Sequence, residues 1–308
     1  MTVREPNLQV SLGPLKLKNP VMTASGTFGY GLELAKFCPP EALGAVITKG
    51  VSLEPWPGNR SPRLAEAYGG ILNAIGLENM GVEAFINNAL PPLKATGAVV
   101  AANILGHSPE DYGRLAGRLA NSAVDLLEVN VSCPNVSCGG LAFGAEPAMA
   151  AEVTAAVREN AGGKPFMVKL TPLASDIAAV ARAVEKAGAT AVSLINTIPA
   201  MNIDLDRRRP RLANVAGGLS GPAVKPVALR QVWQVAQAVK IPVVGLGGIV
   251  SGRDALEFIL AGAAAVQVGT ATLADPRAPM MVIEGIRQWM ITEGLEDLGQ
   301  LKGALRLP

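Results

Sequence analysis

Residues 98–104 read AVVAANI and residues 109–121 read PEDYGRLAGRLAN. The first run is apolar until an asparagine near its end and shows no in/out alternation, as in a strand buried on both faces. The second opens on Pro, closes on Asn and carries apolar residues at helical spacing. Together they make one β-then-α unit. Working outward, similar apolar runs occur as NPVMTASG (19–26), GAVITKG (44–50), LLEVNVSC (126–133), FMVKLTP (166–172), AVSLINT (191–197), PVVGLGG (242–248) and AAVQVGT (264–270). Helical patterns lie between most of them, most clearly at 147–160, 176–188, 226–239 and 252–262. Eight β-then-α units in this length predict a single α/β (β/α)8 TIM barrel. A doubly wound open sheet is the alternative. No Pro/Gly/Ser-rich linker divides the chain, so residues 1–308 read as a single domain. VSLGPLKL (10–17) reads as a small N-terminal hairpin, placed to plug the bottom of the barrel.

Composition narrows the function classes. Of 308 residues, 49% are hydrophobic and 17% charged, which is the balance of a globular chain. A net charge of +2 gives no reason to expect nucleic acid or an anionic membrane surface as a partner. No apolar run approaches the roughly 18 residues of a membrane span, and the start MTVREPNLQV lacks the apolar core of a signal peptide. Three cysteines do not make a disulfide framework, so the expectation is a reduced, cytoplasmic protein. They are also too few for an iron–sulfur cluster held by this chain alone.

The informative feature is where polar residues fall. Lys49 ends the second run, Asn103 the third, Asn130 and Cys133 the fourth, and Asn196 with Thr197 the sixth, while Lys169 sits in the fifth. Asn is depleted in strands, and a buried Lys must be paired. A barrel builds its active site at the C-terminal ends of its strands, so these side chains are expected to converge on one mouth. Glycines mark the last third: GGLSGP (217–222) before a helix, GLGG (245–248) after the seventh run and GT (269–270) after the eighth. Glycine backbone at a helix N-terminus suits a phosphate. The dinucleotide fingerprint G-x-G-x-x-G is absent, because Val250 stands where its last glycine belongs. A phosphate site with asparagines and a lysine suits FMN, with Lys169 placed to balance charge on the ring.

These motifs resemble the dihydroorotate dehydrogenases. TASGTFGYG (23–31), ITKG (47–50), LNAIGLEN (72–79), NVSCPN (130–135), GGLSGP and GLGGI (245–249) occur in order, and LNAIGLEN with GNRSPRLAE (58–66) is similar to the class 1B catalytic subunit. The catalytic serine and membrane-associating extension of class 2 are not seen. The resemblance implies that Lys49, Asn73, Ala74, Ile75, Gly76, Leu77, Asn130, Asn135, Asn196 and Thr197 hold the substrate, dihydroorotate or its product orotate. It implies that Ser25, Lys49, Gly50, Asn103, Asn130, Lys169 and Ile195 line FMN, and that Gly221, Gly247, Gly248, Gly269 and Thr270 hold its ring edge and phosphate. Amide side chains match the alternating donors and acceptors of a pyrimidine dione.

Cys133 has no neighbouring histidine; the one histidine, His107, lies in a different segment. The resemblance makes Cys133 a general base. A thiol of ordinary pKa about 8.5 is mostly protonated at neutral pH, so a rate rising with pH is expected. Two thiols, Cys133 and Cys138, with a distant histidine do not complete a metal site, so no metal is expected. Cys138 reads as incidental, Cys38 as structural and His107 as a polar loop residue. DRRRPR (206–211) reads as a solvated segment, attractive as a lid.

The resemblance further implies NAD as final acceptor and a partner subunit carrying FAD and an iron–sulfur cluster. Two such pairs would join through a catalytic homodimer into a heterotetramer. Three other readings stay open on the residues: a fumarate-using class 1A enzyme, a related dihydropyrimidine dehydrogenase module, and a flavin-binding assembly subunit without its own catalysis.

Overall fold

The computed structural model describes residues 5–132 and 144–308. All eight apolar runs are strands of one parallel sheet: β1 (Val21–Thr23), β2 (Val46–Ile47), β3 (Val100–Ile104), β4 (Leu126–Asn130), β5 (Phe166–Lys169), β6 (Ala191–Leu194), β7 (Val243–Leu246) and β8 (Ala265–Val268). Their order is β1, β8, β7, β6, β5, β4, β3, β2. The ends of that row meet. The backbone N–H of Gly44 donates to the carbonyl of Val21 at 2.8 Å and that of Thr23 to Ala45 at 3.3 Å. The open-sheet alternative is therefore excluded, and the fold is an α/β barrel.

Helices follow β2 through β8. They include Leu90–Ala95, Pro109–Ala120, Pro147–Asn160, Ile177–Lys186, Lys225–Ala238, Gly252–Leu260 and Ala278–Thr292. Their starts are written locally. Ser108 accepts from the N–H of Asp111 at 3.2 Å and Asp176 from that of Ala179 at 2.9 Å; Ser251 and Asp254 cap each other reciprocally. The first unit corrects the expectation of eight complete repeats. Between β1 and β2 the described chain has only the 3-10 turn Pro40–Ala42. Glycines at positive φ (Gly26, Gly29, Gly31) and the Glu33 carboxylate, which accepts from the N–H groups of Tyr30, Gly31 and Leu32, hold that segment in turns.

Alternation along the strands sorts the core into layers. Val100, Leu127, Val129, Val168, Val192 and Val266 face outward into the large core shared with the helices. Met22, Ile47, Ala101, Leu126, Met167, Ala191, Val244 and Ala265 form a separate inner cluster. The hairpin Val10–Leu12/Leu15–Leu17 packs Leu12 and Leu17 into that cluster, both essentially inaccessible, as a plug for the barrel bottom. Two residues further along the strands the interior turns polar: Asn103, Glu128, Lys169, Ser193 and Gln267 are all buried.

A second sheet was not expected from the sequence. Leu64–Ala67, Gly70–Asn73, Ile198–Ala200 and Gly217–Ser220 pair antiparallel, over a small core of Leu72, Ala74 and Leu212. GGLS, part of the glycine-rich stretch expected to help hold a phosphate, is thus a strand paired with Gly70–Asn73. Ile203–Asp204 and Arg209–Pro210 form a further two-stranded hairpin. No described helix is long and apolar enough to cross a membrane.

The plug makes a measurable demand. Leu17→Ala should lower unfolding stability by about 2–5 kcal/mol, the range for emptying a buried leucine site. Urea denaturation should show a lower midpoint with an unchanged slope; an unchanged midpoint would mean that the hairpin does not seal the barrel.

Candidate active site

The C-terminal ends of the eight strands open into a cavity of about 730 Å³. Ser25 follows β1, Lys49 and Gly50 follow β2, Asn103 lies in β3 and Asn130 ends β4. Lys169 ends β5, Ile195 to Thr197 follow β6, Gly247 and Gly248 follow β7, and Gly269 with Thr270 follow β8; all line the cavity. The antiparallel sheet supplies another wall, with Asn73 to Leu77 and Gly217 to Gly221. Every expected site residue within the described chain is therefore in one place. Cys133, Asn135 and Cys138 lie outside the described residues.

Three parts of the cavity differ in chemistry. The first is an amide chain. Asn196 donates through Nδ2 to Ser132 Oγ at 2.6 Å, and Ser132 Oγ donates to Asn130 Oδ1 at 2.8 Å. The backbone N–H of Thr197 donates to Asn196 Oδ1 at 2.8 Å, and Asn73 Nδ2 to the carbonyl of Gly218 at 3.2 Å. Tyr112, on the buried face of the helix Pro109–Ala120, fixes the Asn130 backbone by donating to its carbonyl at 2.7 Å. These amides are held in fixed orientations, which is what recognition of a ring with alternating donors and acceptors requires.

The second part is glycine backbone. Gly221 and Gly248 have φ of +108° and +77°, which L side chains rarely adopt. A Cβ on Gly248 would lie 2.9 Å from the Gly221 carbonyl oxygen and 2.7 Å from Lys225 Cβ, so only glycine allows this approach. The helix Lys225–Ala238 begins just beyond, and Thr270 Oγ1 donates to Ser220 Oγ at 2.8 Å across the same end. A helix N-terminus beside bare backbone is an anion cradle.

The third part is charged. Lys169, 4% exposed, donates to Ser25 Oγ at 3.1 Å and stands 3.9 Å from Glu128 Oε2. At the outer wall, Arg63 bonds Glu78 at 2.7 Å. The Glu78 carboxyl is held below its usual range by that hydrogen bond first, and then by the charges of Lys49 and Arg63.

A dihydroorotate dehydrogenase family model matches residues 7–290. The chain belongs to the dihydroorotate dehydrogenase family. Curated relatives agree over full length. The chain is 56% identical to "Dihydroorotate dehydrogenase B (NAD(+)), catalytic subunit" of Trichlorobacter lovleyi, over 98% of this chain and 99% of that one. It is 53% identical to the protein of the same name from Citrifermentans bemidjiense, covering 99% and 100%. To that from Alkaliphilus metalliredigens it is 52% identical, covering 97% and 99%.

Around this cavity, sequence reading missed Arg63, Glu78, Ser132 and Gln267, which line it, and Glu128, which lies beneath it. Glu128 had a signal: it is the one acidic residue in the eight apolar runs, and Lys169 needed a partner. Three further readings can be placed on the structure. Asp206 to Arg211 do not line this cavity; Arg207, Arg209 and Arg211 instead line a second one with Glu66 and Asp204. His107 lies outside the cavity in the loop after β3, as a polar loop residue, its ring tilted by 32° against that of Trp56 with centroids 4.5 Å apart. Cys38 is fully buried and its thiol is pushed up to about 11 by that burial, as a structural cysteine should be.

The glycine cradle can be tested by stability. Gly248→Ala should destabilise the chain by about 1–3 kcal/mol, the cost of a forced positive φ. A variant within about 0.5 kcal/mol of wild type in thermal or urea unfolding would show that the close approach is not required.

Proposed function

We propose that this chain is the catalytic subunit that oxidises (S)-dihydroorotate to orotate in pyrimidine biosynthesis, using FMN, and that its electrons pass to a partner subunit and then to NAD. The observation that carries this reading is the convergence, in one cavity, of an oriented set of amides (Asn73, Asn130, Asn196), a glycine cradle and a buried lysine. The volume falls within the range of cofactor and ligand sites. The donor set fits FMN: an anion cradle for its phosphate at Gly221, Gly248 and Thr270, and Lys169 with Asn103 for its ring. Gln267 Oε1, buried without a hydrogen-bond partner, supplies an acceptor that a ring N–H would satisfy.

When bound, FMN supplies the hydride acceptor. The chain's own residues do the rest. Asn73, Asn130 and Asn196 orient the pyrimidine ring, and Lys49, beside an Arg63 already paired with Glu78, leaves the outer wall net positive for its carboxylate. Cys133 is the general base, taking the proton from the carbon next to the ring carbonyl while the neighbouring carbon gives up hydride. Its assignment rests on the family resemblance and on its place directly after Ser132, whose hydroxyl joins Asn130 to Asn196. The partner supports come from the relatives, whose names include "catalytic subunit" and "NAD(+)". This chain has three cysteines and no dinucleotide fingerprint, so FAD and an iron–sulfur cluster belong to that partner. We read residues 1–308 as one FMN-binding domain that dimerises within a heterotetramer.

The purified protein should be yellow, with one FMN per chain. Cys133→Ala should keep FMN and orotate binding, yet lose flavin reduction by dihydroorotate on the order of a hundredfold or more, as for removal of a positioned base. Stopped-flow reduction at wild-type speed would remove Cys133 from that role. The isolated chain should reduce dyes but not NAD, and coexpression with the partner should restore NAD reduction. Efficient NAD reduction by this chain alone, with no second subunit by mass spectrometry, would overturn the partner assignment.

A further inference from the structure

Glu128 is fully buried at the centre of the barrel and does not line the cavity. Its carboxylate is nonetheless bonded to residues of the cavity floor. Asn103 Nδ2 donates to Oε2 at 2.7 Å, and Gln267 Nε2 and Ser193 Oγ donate to Oε1 at 2.6 and 3.0 Å. Lys169 Nζ is 3.9 Å from Oε2. One carboxylate thus ties β3, β5, β6 and β8 to β4.

A carboxylate only accepts hydrogen bonds. Both amide NH2 groups must therefore turn down toward it, and both amide oxygens must turn away. The Asn103 oxygen lies toward Gly50 on the cavity wall, where an added Cβ would sit 3.4 Å from it. The Gln267 oxygen is left buried without a partner. The same negative charge offsets the ammonium of Lys169, which is almost wholly shielded from solvent.

We propose that Glu128 is the positioning residue of the cavity floor. It fixes Asn103 and Gln267 as acceptors toward the flavin ring and sets how much of the Lys169 charge the ring feels, and so tunes the flavin's reduction potential without touching it. This rests on FMN occupying the cavity, as proposed above.

Glu128→Gln removes the charge while nearly keeping the shape. Lys169 then presents more of its positive charge, which favours the more negatively charged reduced flavin. The amide side chain also brings an NH2 against one of the donors, so Asn103 or Gln267 must turn over. The variant should prefer reduced over oxidised FMN at least about tenfold more than wild type, a rise in midpoint potential of about 30 mV for a two-electron couple. Its visible flavin spectrum should shift as the ring's hydrogen bonds change. Glu128→Asp keeps the charge but withdraws it from the amides, so its potential should stay near wild type while FMN binds about tenfold more weakly.

The measurements are redox titration against reference dyes, the visible spectrum and FMN affinity by fluorescence quenching. A folded Glu128→Gln protein with wild-type potential and spectrum overturns the inference. So does a Glu128→Asp protein whose potential moves as far as that of the Gln variant. If Glu128→Gln does not fold, the Asp variant decides, and wild-type FMN affinity there overturns the proposal. Failure of the wild-type chain to take up FMN would instead strike the function proposed above.

Discussion

Closing eight parallel strands into a barrel sends alternate side chains into a space that water does not reach, and every charge there must find a partner inside the protein. This chain meets the constraint in two layers. At the lower level the interior is Met22, Ala101, Leu126, Met167 and their neighbours, sealed by Leu12 and Leu17. One step up the strands it is Glu128, Lys169, Asn103, Ser193 and Gln267, bonded to one another. Removing one partner from such a buried ionic network costs roughly 3–5 kcal/mol, because it strands the other charge. The polar layer is therefore a structural element as well as the floor of the site.

The cavity above that floor divides its tasks among elements of different rigidity. The floor comes from barrel strands, held on the outside by the helices and on the inside by the carboxylate of Glu128. The glycine cradle comes from the segment before the helix Lys225–Ala238 and from the loops after β7 and β8, and in it Gly221 and Gly248 press backbone against backbone. The outer wall comes from the antiparallel sheet, whose Asn73 is pinned to Gly218. A site made from three such sources keeps its chemistry at the fixed strand ends while its outer wall is carried by separate chain segments.

How much of this the sequence showed follows from the range of each interaction. The eight strands were legible because strands covered on both faces are apolar at every position. Asn103, Asn130, Lys169 and Asn196 were legible because such residues are out of place in such runs. The second sheet was not. Its strands are short, LAEA resembles helix, GGLS resembles a turn, and Asn73 meets Gly218 across 145 positions of sequence. No local pattern reports a pairing at that distance. Glu128 was passed over because a single acid in an apolar run says nothing of direction until strand pairing fixes it inward. The missing helix between β1 and β2 was hidden by glycines, which permit turns without announcing them.

The small core of the antiparallel sheet has a kinetic meaning. Leu72, Ala74 and Leu212 hold that sheet with a fraction of the apolar contact that closes the barrel, and units with few buried contacts open at a fraction of the global unfolding free energy. The outer part of the wall that carries Asn73 is therefore expected to open before the strand ends do, while Ser220 and Gly221 stay tied to Thr270 and Gly248. On the proposed reading, one cavity then has two residence times: short for the molecule that must leave in every turnover, long for the one that must stay.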